Sequence, residues 1–128
     1  MDREILFRAK FGNDWKYGYL SVEPKGLVIK EPYELNQSNI WHINPETVGQ
    51  YTGLTDKNGT KIFEGDIVKD EQSGYEYVIK WFSEYACFAL ANKNGHIEYD
   101  VDEFEMLVND LIVVGNIHDS SDFAEVSK

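Results

Sequence analysis

Apolar and polar residues alternate with period two along much of the chain. The first clear instance is REILFRAKF, where Ile5, Phe7, Ala9 and Phe11 alternate with Glu4, Leu6, Arg8 and Lys10. Period two is the mark of a half-buried strand. Gly12-Asn13-Asp14 turns the chain, and Trp15, Tyr17 and Tyr19 resume the same spacing, so the pattern predicts a hairpin with these aromatics on one face. Pro24-Lys25-Gly26 makes the next turn, before the short run LVIK. The following EPYELNQSN is polar and irregular and reads as a surface loop. In Asn44-Pro45-Glu46-Thr47 a capping residue precedes a proline at the first helical position, which predicts one helical turn.

Beyond Tyr51, short β-rich runs recur at residues 60–63, 66–69, 75–82, 85–91, 96–101 and 111–118. Glycine-bearing turns separate them: Asn58-Gly59, Glu64-Gly65, Gln72-Ser73-Gly74 and Asn92-Lys93-Asn94-Gly95. Before the last run, residues 102–107 have an acidic first turn and place Phe104 and Leu107 at helical spacing. Strands with a single helical turn before the last follow the order of an SH3-like barrel. The fold class expected is therefore all-β and a single domain. Within it, residues 1–53 form an N-terminal β extension, residues 54–119 an SH3-like barrel, and residues 120–128 a tail that frays or forms a short helix capped by Ser120 or Ser121.

The stretch YTGLTDKNGTKIFEGDIVK gathers Asp56, Asn58, Glu64 and Asp66 among glycines and raises the question of a metal or phosphate loop. With Gly59 as the central glycine of a calcium loop, Asp56 and Asn58 fall on ligand positions, but the first and last ligand positions are Leu54 and Gly65. The bidentate carboxylate is missing. No Gly-Lys-Ser/Thr follows, so a phosphate loop fails too. Turn chemistry accounts for the same residues: Asn58-Gly59 as a type I′ turn, and residues 63–66 as a type II turn in which Asp66 bonds nearby amides.

Charge narrows the partners. Against 12 basic residues stand 23 acidic ones, for a net charge of −11, which repels a phosphate backbone or an anionic membrane unless the few basic residues share one face. Neither nucleic acid nor membrane is expected as a partner. The 42% apolar and 14% aromatic content is that of a folded globular protein. Cys87 is the only cysteine and MDREILFRAK has no signal-peptide pattern, so the expected compartment is a reducing cytoplasm. No apolar run nears the roughly 20 residues of a membrane helix.

Candidate sites are few. His42, His96 and His118 fall on different elements without metal-ligand spacing, and Cys87 alternates into a small apolar position with no base nearby. No catalytic residue, metal site or cofactor motif is assigned, and the chain is expected not to be an enzyme. Alternation puts Trp81 on one face with Tyr77 and Ile79, in the core. Trp41, beside a polar loop, is the candidate exposed anchor for a partner. The run Glu98, Asp100, Asp102, Glu103 is either a solvated strand edge or a docking face for a basic partner.

VGQYTGLTDKNGTKIFEGDIVK, with REILFRAKF before it and IVVGNIHDSSDF after it, resembles the YopX family of phage and prophage proteins over nearly the whole chain. The resemblance implies a mainly β fold with an SH3-type barrel in the C-terminal half, and transfers no functional residue. The expected role is a protein–protein interaction module acting on an unknown host or phage protein, with homo-oligomerisation through the β arm a further expectation. Two alternatives are an acidic mimic of DNA that inhibits a host DNA-binding enzyme, and a small metal-dependent hydrolase.

Overall fold

Nearly every element of the computed structural model, which describes residues 6–34, 37–83, 87–99, 104 and 107–119, is a β-strand. The strands form two antiparallel sheets. The chain divides into two compact units, residues 1–51 and 52–128.

In the first unit the strands are β1 (Phe7–Phe11), β2 (Asp14–Glu23), β3 (Gly26–Glu34), β4 (Gln37–His42) and the start of β5 (Gly49–Thr55). They are ordered β4-β3-β2-β1-β5. Pairings of Ala9 with Lys16, Leu20 with Ile29 and Ile29 with Trp41 put these residues on one face. That face carries the core of Ala9, Ile29 and Ile43, against which Phe7, Leu20, Leu27, Trp41 and Val48 pack. The predicted helical turn is present at Pro45–Thr47, where Asn44 Oδ1 accepts from the Glu46 amide at 3.0 Å. Thr47 then fastens the turn to β1, its Oγ1 accepting from the Lys10 amide at 2.8 Å.

The described residues of the stretch read as a polar loop lie instead in two antiparallel strands. β3 continues to Glu34 and β4 starts at Gln37, with Pro32 opposite Ser38 and a register shift between Pro32 and Glu34. A bulge is where a strand accommodates proline, so the proline and the polar residues did not end the strand.

Gly18 sits in the middle of this sheet because nothing larger fits. A Cβ there would lie 2.3 Å from the Lys30 carbonyl oxygen and 3.2 Å from Ile29 Cγ2. Gly18→Ala is expected to cost about 1–3 kcal/mol in urea unfolding. Gly115→Ala, where a Cβ meets nothing within 4 Å, should stay within about 0.5 kcal/mol of wild type.

The second unit begins with the end of β5 and adds β6 (Lys61–Phe63), β7 (Asp66–Asp70), β8 (Glu76–Phe82), β9 (Cys87–Ala91), β10 (Ile97–Tyr99) and β11 (Leu111–Asn116). A five-stranded sheet is ordered β10-β9-β8-β7-β11. Its core holds Ile62, Val68, Tyr77, Ile79, Phe88, Leu90, Phe104 and Leu111. Phe104 and Leu107, the described residues of the predicted helical segment, are helical, and Phe104 is fully buried. The single turn Val108–Asp110 leads into β11. Strand order is thus the one that suggested a barrel, but closure is not observed. β10 and β11 are the two edges of an open sheet, with no ladder joining them among the described residues.

The Asn58-Gly59 reversal is not the two-residue turn predicted. The Asp56 amide donates to the Thr60 carbonyl at 2.8 Å and the Gly59 amide to the Asp56 carbonyl at 3.0 Å, with Gly59 at φ 84°. These bonds define a three-residue loop ending in a left-handed glycine. Asn92-Lys93-Asn94-Gly95-His96 repeats it bond for bond, with Gly95 also at φ 84°. The side chain of the first residue decides the outcome: Asp56 Oδ1 accepts from the amides of Asn58 and Thr60 at 2.8 and 2.9 Å, and Asn92 Oδ1 from those of Asn94 and His96 at 2.9 and 3.1 Å. An acceptor one position before Lys-Asn-Gly captures the turn and shifts it by one residue. Among the described residues no helix is long and apolar enough to cross a membrane.

Candidate functional site

The carboxylates of the glycine-rich stretch are structural. Asp66, 1% exposed, accepts from the Phe63 amide at 2.7 Å, which is the turn-fastening role predicted for it. Asp56, 7% exposed, uses Oδ1 on its own turn and Oδ2 on the Val113 amide of β11 at 2.9 Å. With three amides on two oxygens, it ties the β5–β6 loop to the last strand.

An open groove of about 450 Å³ lies elsewhere in the second unit, where the end of β8 meets the turn before β10. Lys80, Trp81, Phe82 and Ser83 form one wall, and Gly95, His96 and Ile97 the other. Trp81 pairs with Phe88 across the β8–β9 ladder, ring centroids 5.0 Å apart at 68°. Phe88 belongs to the core, yet Trp81 remains 45% exposed. Alternation placed Trp81 correctly on the face of Tyr77 and Ile79, but the core ends at Phe88 and Trp81 is its outer rim. The tryptophan expected to be interior is the one offered to solvent.

Trp41 is the reverse. Paired with fully buried Ile29, it is half-buried, packs against Phe11 at 5.1 Å and carries Lys16 Nζ 3.9 Å above its ring. Its neighbours Ile40 and His42, on the other face of β4, are the exposed ones. Of the acidic run, Glu98 is exposed on β10 and accepts from Asn92 Nδ2 at 2.7 Å, so it braces the turn that forms one wall of the groove. Asp100, Asp102 and Glu103 lie outside the described residues. Cys87 is half-buried at the start of β9 opposite Phe82.

The groove is lined by the aromatic rings of Trp81 and Phe82 with the Lys80 ammonium and the His96 imidazole, and no carboxylate lines it among the described residues. Among the described residues, no three His, Cys, Asp or Glu side chains are grouped as metal ligands. β10 itself is pinned to the core by Tyr99, whose ring meets Tyr77 edge-on at 5.5 Å. Burial first, then the hydrogen bond and proximity of Tyr99, push the Tyr77 phenol up to about 12.

A phenol whose pKa is higher folded than unfolded stabilises the fold fully below the unfolded value, near 10, and that contribution is lost as pH rises through 12. Denaturant midpoints from pH 9 upward should therefore fall more steeply for wild type than for Tyr77→Phe. The excess loss should be at most about 2–3 kcal/mol. Equal slopes would remove Tyr77 as the cause.

Fold and groove together define a small antiparallel β protein with an exposed aromatic ring in an open groove. The family model described as YopX protein matches residues 7–125, and the chain belongs to the YopX family. No match was found among curated proteins.

Proposed function

We propose that the chain works without catalysis, as a cytoplasmic protein of phage or prophage origin that docks on a host or phage protein through the groove at Trp81. One observation carries the reading: a large aromatic ring, seated on the core through Phe88, is 45% exposed in a concave surface. Exposed tryptophans in pockets are the residues that dominate contact energies at interfaces. The Lys80 charge, with His96 as a hydrogen-bonding ring beside it, favours a partner segment that sets a carboxylate beside its apolar anchor. β10, at the edge of its sheet, offers backbone groups along which an extended segment can pair.

The test is quantitative capture from phage-infected bacteria with immobilised wild-type protein and Trp81→Ala side by side. A protein retained by the wild type and lost by the variant supports the reading. A protein retained equally by both, or a metabolite turned over by the chain, overturns it.

A second reading, the DNA mimic, draws on the charge division. Residues 52–128 hold 16 acidic and six basic side chains, net −10, against net −1 for residues 1–51. A captured DNA-binding enzyme whose binding survives Trp81→Ala but collapses with salt would favour it.

A further inference from the structure

The acidic total argued against nucleic acid unless the basic residues share a face, and in the first unit three of them do. Register pairs Arg8 with Tyr17, Lys10 with Trp15, and Tyr19 with Lys30. Directly opposed residues project from the same side of a sheet, so Trp15, Tyr17 and Tyr19 form a column on β2 with cations in the neighbouring strands. The core residues Ala9 and Ile29 occupy the other face. Arg8 Cζ lies 4.7 Å and Lys10 Nζ 5.4 Å from the centre of the Trp15 ring. Tyr17 and Tyr19 are 43% and 59% exposed, although each has a large apolar ring.

We infer that this face of the first unit binds single-stranded nucleic acid, with bases stacking on the β2 aromatics and phosphates meeting Lys10 and Lys30. Alternate residues along a strand are roughly 7 Å apart, which leaves the exposed Tyr17 and Tyr19 rings each addressable by its own base when the nucleic-acid strand is extended. Stacking on aromatic side chains needs unpaired bases and tolerates any sequence. Two partly exposed lysines, each already engaged within the fold, are too few to hold a duplex by charge alone, and a paired duplex hides its base faces. Arg8, 6% exposed, acts by orienting Trp15. Glu23, which meets Lys30 at 3.8 Å, competes with phosphate for that lysine. The affinity expected is therefore modest and the preference for single strands clear. This surface is independent of the Trp81 groove, so either proposal can fail alone.

The experiment is fluorescence anisotropy with a labelled thymidine oligomer of about 15 nucleotides and, separately, with a duplex of the same length, starting near 20 mM salt. The expected result is binding of the single strand, at least tenfold weaker binding of the duplex, and a log–log salt slope of about −1.4 from two phosphate contacts. Tyr17→Ala combined with Tyr19→Ala should weaken binding by about tenfold or more. Because that pair alters the sheet, Lys30→Gln serves as an independent variant and should roughly halve the salt slope. No binding at low salt, equal binding of the duplex, or a salt slope unchanged in Lys30→Gln would overturn the inference.

Discussion

Asp56→Ala is expected to remove about 2–4 kcal/mol of stability, among the largest single losses outside the apolar core. The carboxylate accepts three amides, from Asn58, Thr60 and Val113, while 7% exposed. Hydrogen bonds to a charged acceptor are each worth about 1.5–3 kcal/mol, and a buried amide left without its acceptor carries the full desolvation cost. Water replaces the carboxylate at the exposed Asn58 and Thr60 amides, so most of the loss comes from Val113, where the loop meets β11. Asp56→Asn separates the two parts. An amide oxygen still closes the turn, as Asn92 does in the homologous loop, but its NH₂ would face the Val113 amide. Equilibrium denaturation should rank Asp56→Ala as the most destabilised and Asp56→Asn between it and wild type. A loss below about 0.5 kcal/mol for alanine would show that the tie to β11 is not structural.

Trp81→Ala is expected to weaken partner binding by about 30-fold or more, the scale of an interface anchor, while changing stability far less than its size suggests. The ring stands edge-on to Phe88, at the rim of the core. Trp41→Ala should behave oppositely. Its ring covers Ile29's face of the first unit and is held by Phe11 and Lys16, so the loss falls on stability, by about 2–3 kcal/mol, and binding stays near wild type. Trp81→Phe should restore part of the affinity, because a smaller ring can still fill the groove. Calorimetric titration with the captured protein, beside urea unfolding of each variant, reads both quantities. Equal effects of the two tryptophans on binding would remove the groove's special role.

Much of the fold was legible because period two survives in the chain even where composition is polar. Strands, turns and the order of elements in the second unit follow from alternation and glycine placement. The helical turn at Pro45 follows from its cap. The misreadings have physical causes. The described residues of the polar EPYELNQSN belong to two paired strands because a bulge absorbs Pro32. The Asn-Gly turn shifted by a residue because the Asp56 carboxylate, by accepting from the Asn58 and Thr60 amides, sets the loop in place of the Asn58-Gly59 pair.

Closure of the barrel was not legible, since nothing in a strand's own sequence states whether its outer edge finds a partner. The candidate site was hardest to read. Alternation assigns a side chain to a face but not to a place on that face, so it could not tell that the core stops at Phe88 and leaves Trp81 outside. The Asn92 turn is local and was legible, but alternation could not show that His96 and Ile97, fifteen and sixteen residues downstream of Trp81, line a groove with it, because that depends on how the strand ends pack.

Amide hydrogen exchange on the complex with the captured partner tests the central claim most directly. The account predicts slowed exchange at residues 80–83 and 95–97, together with the outward amides of β10, and little change in β2 and β3. Protection confined to the first unit, with the Trp81 groove exchanging as fast as in the isolated protein, would contradict it.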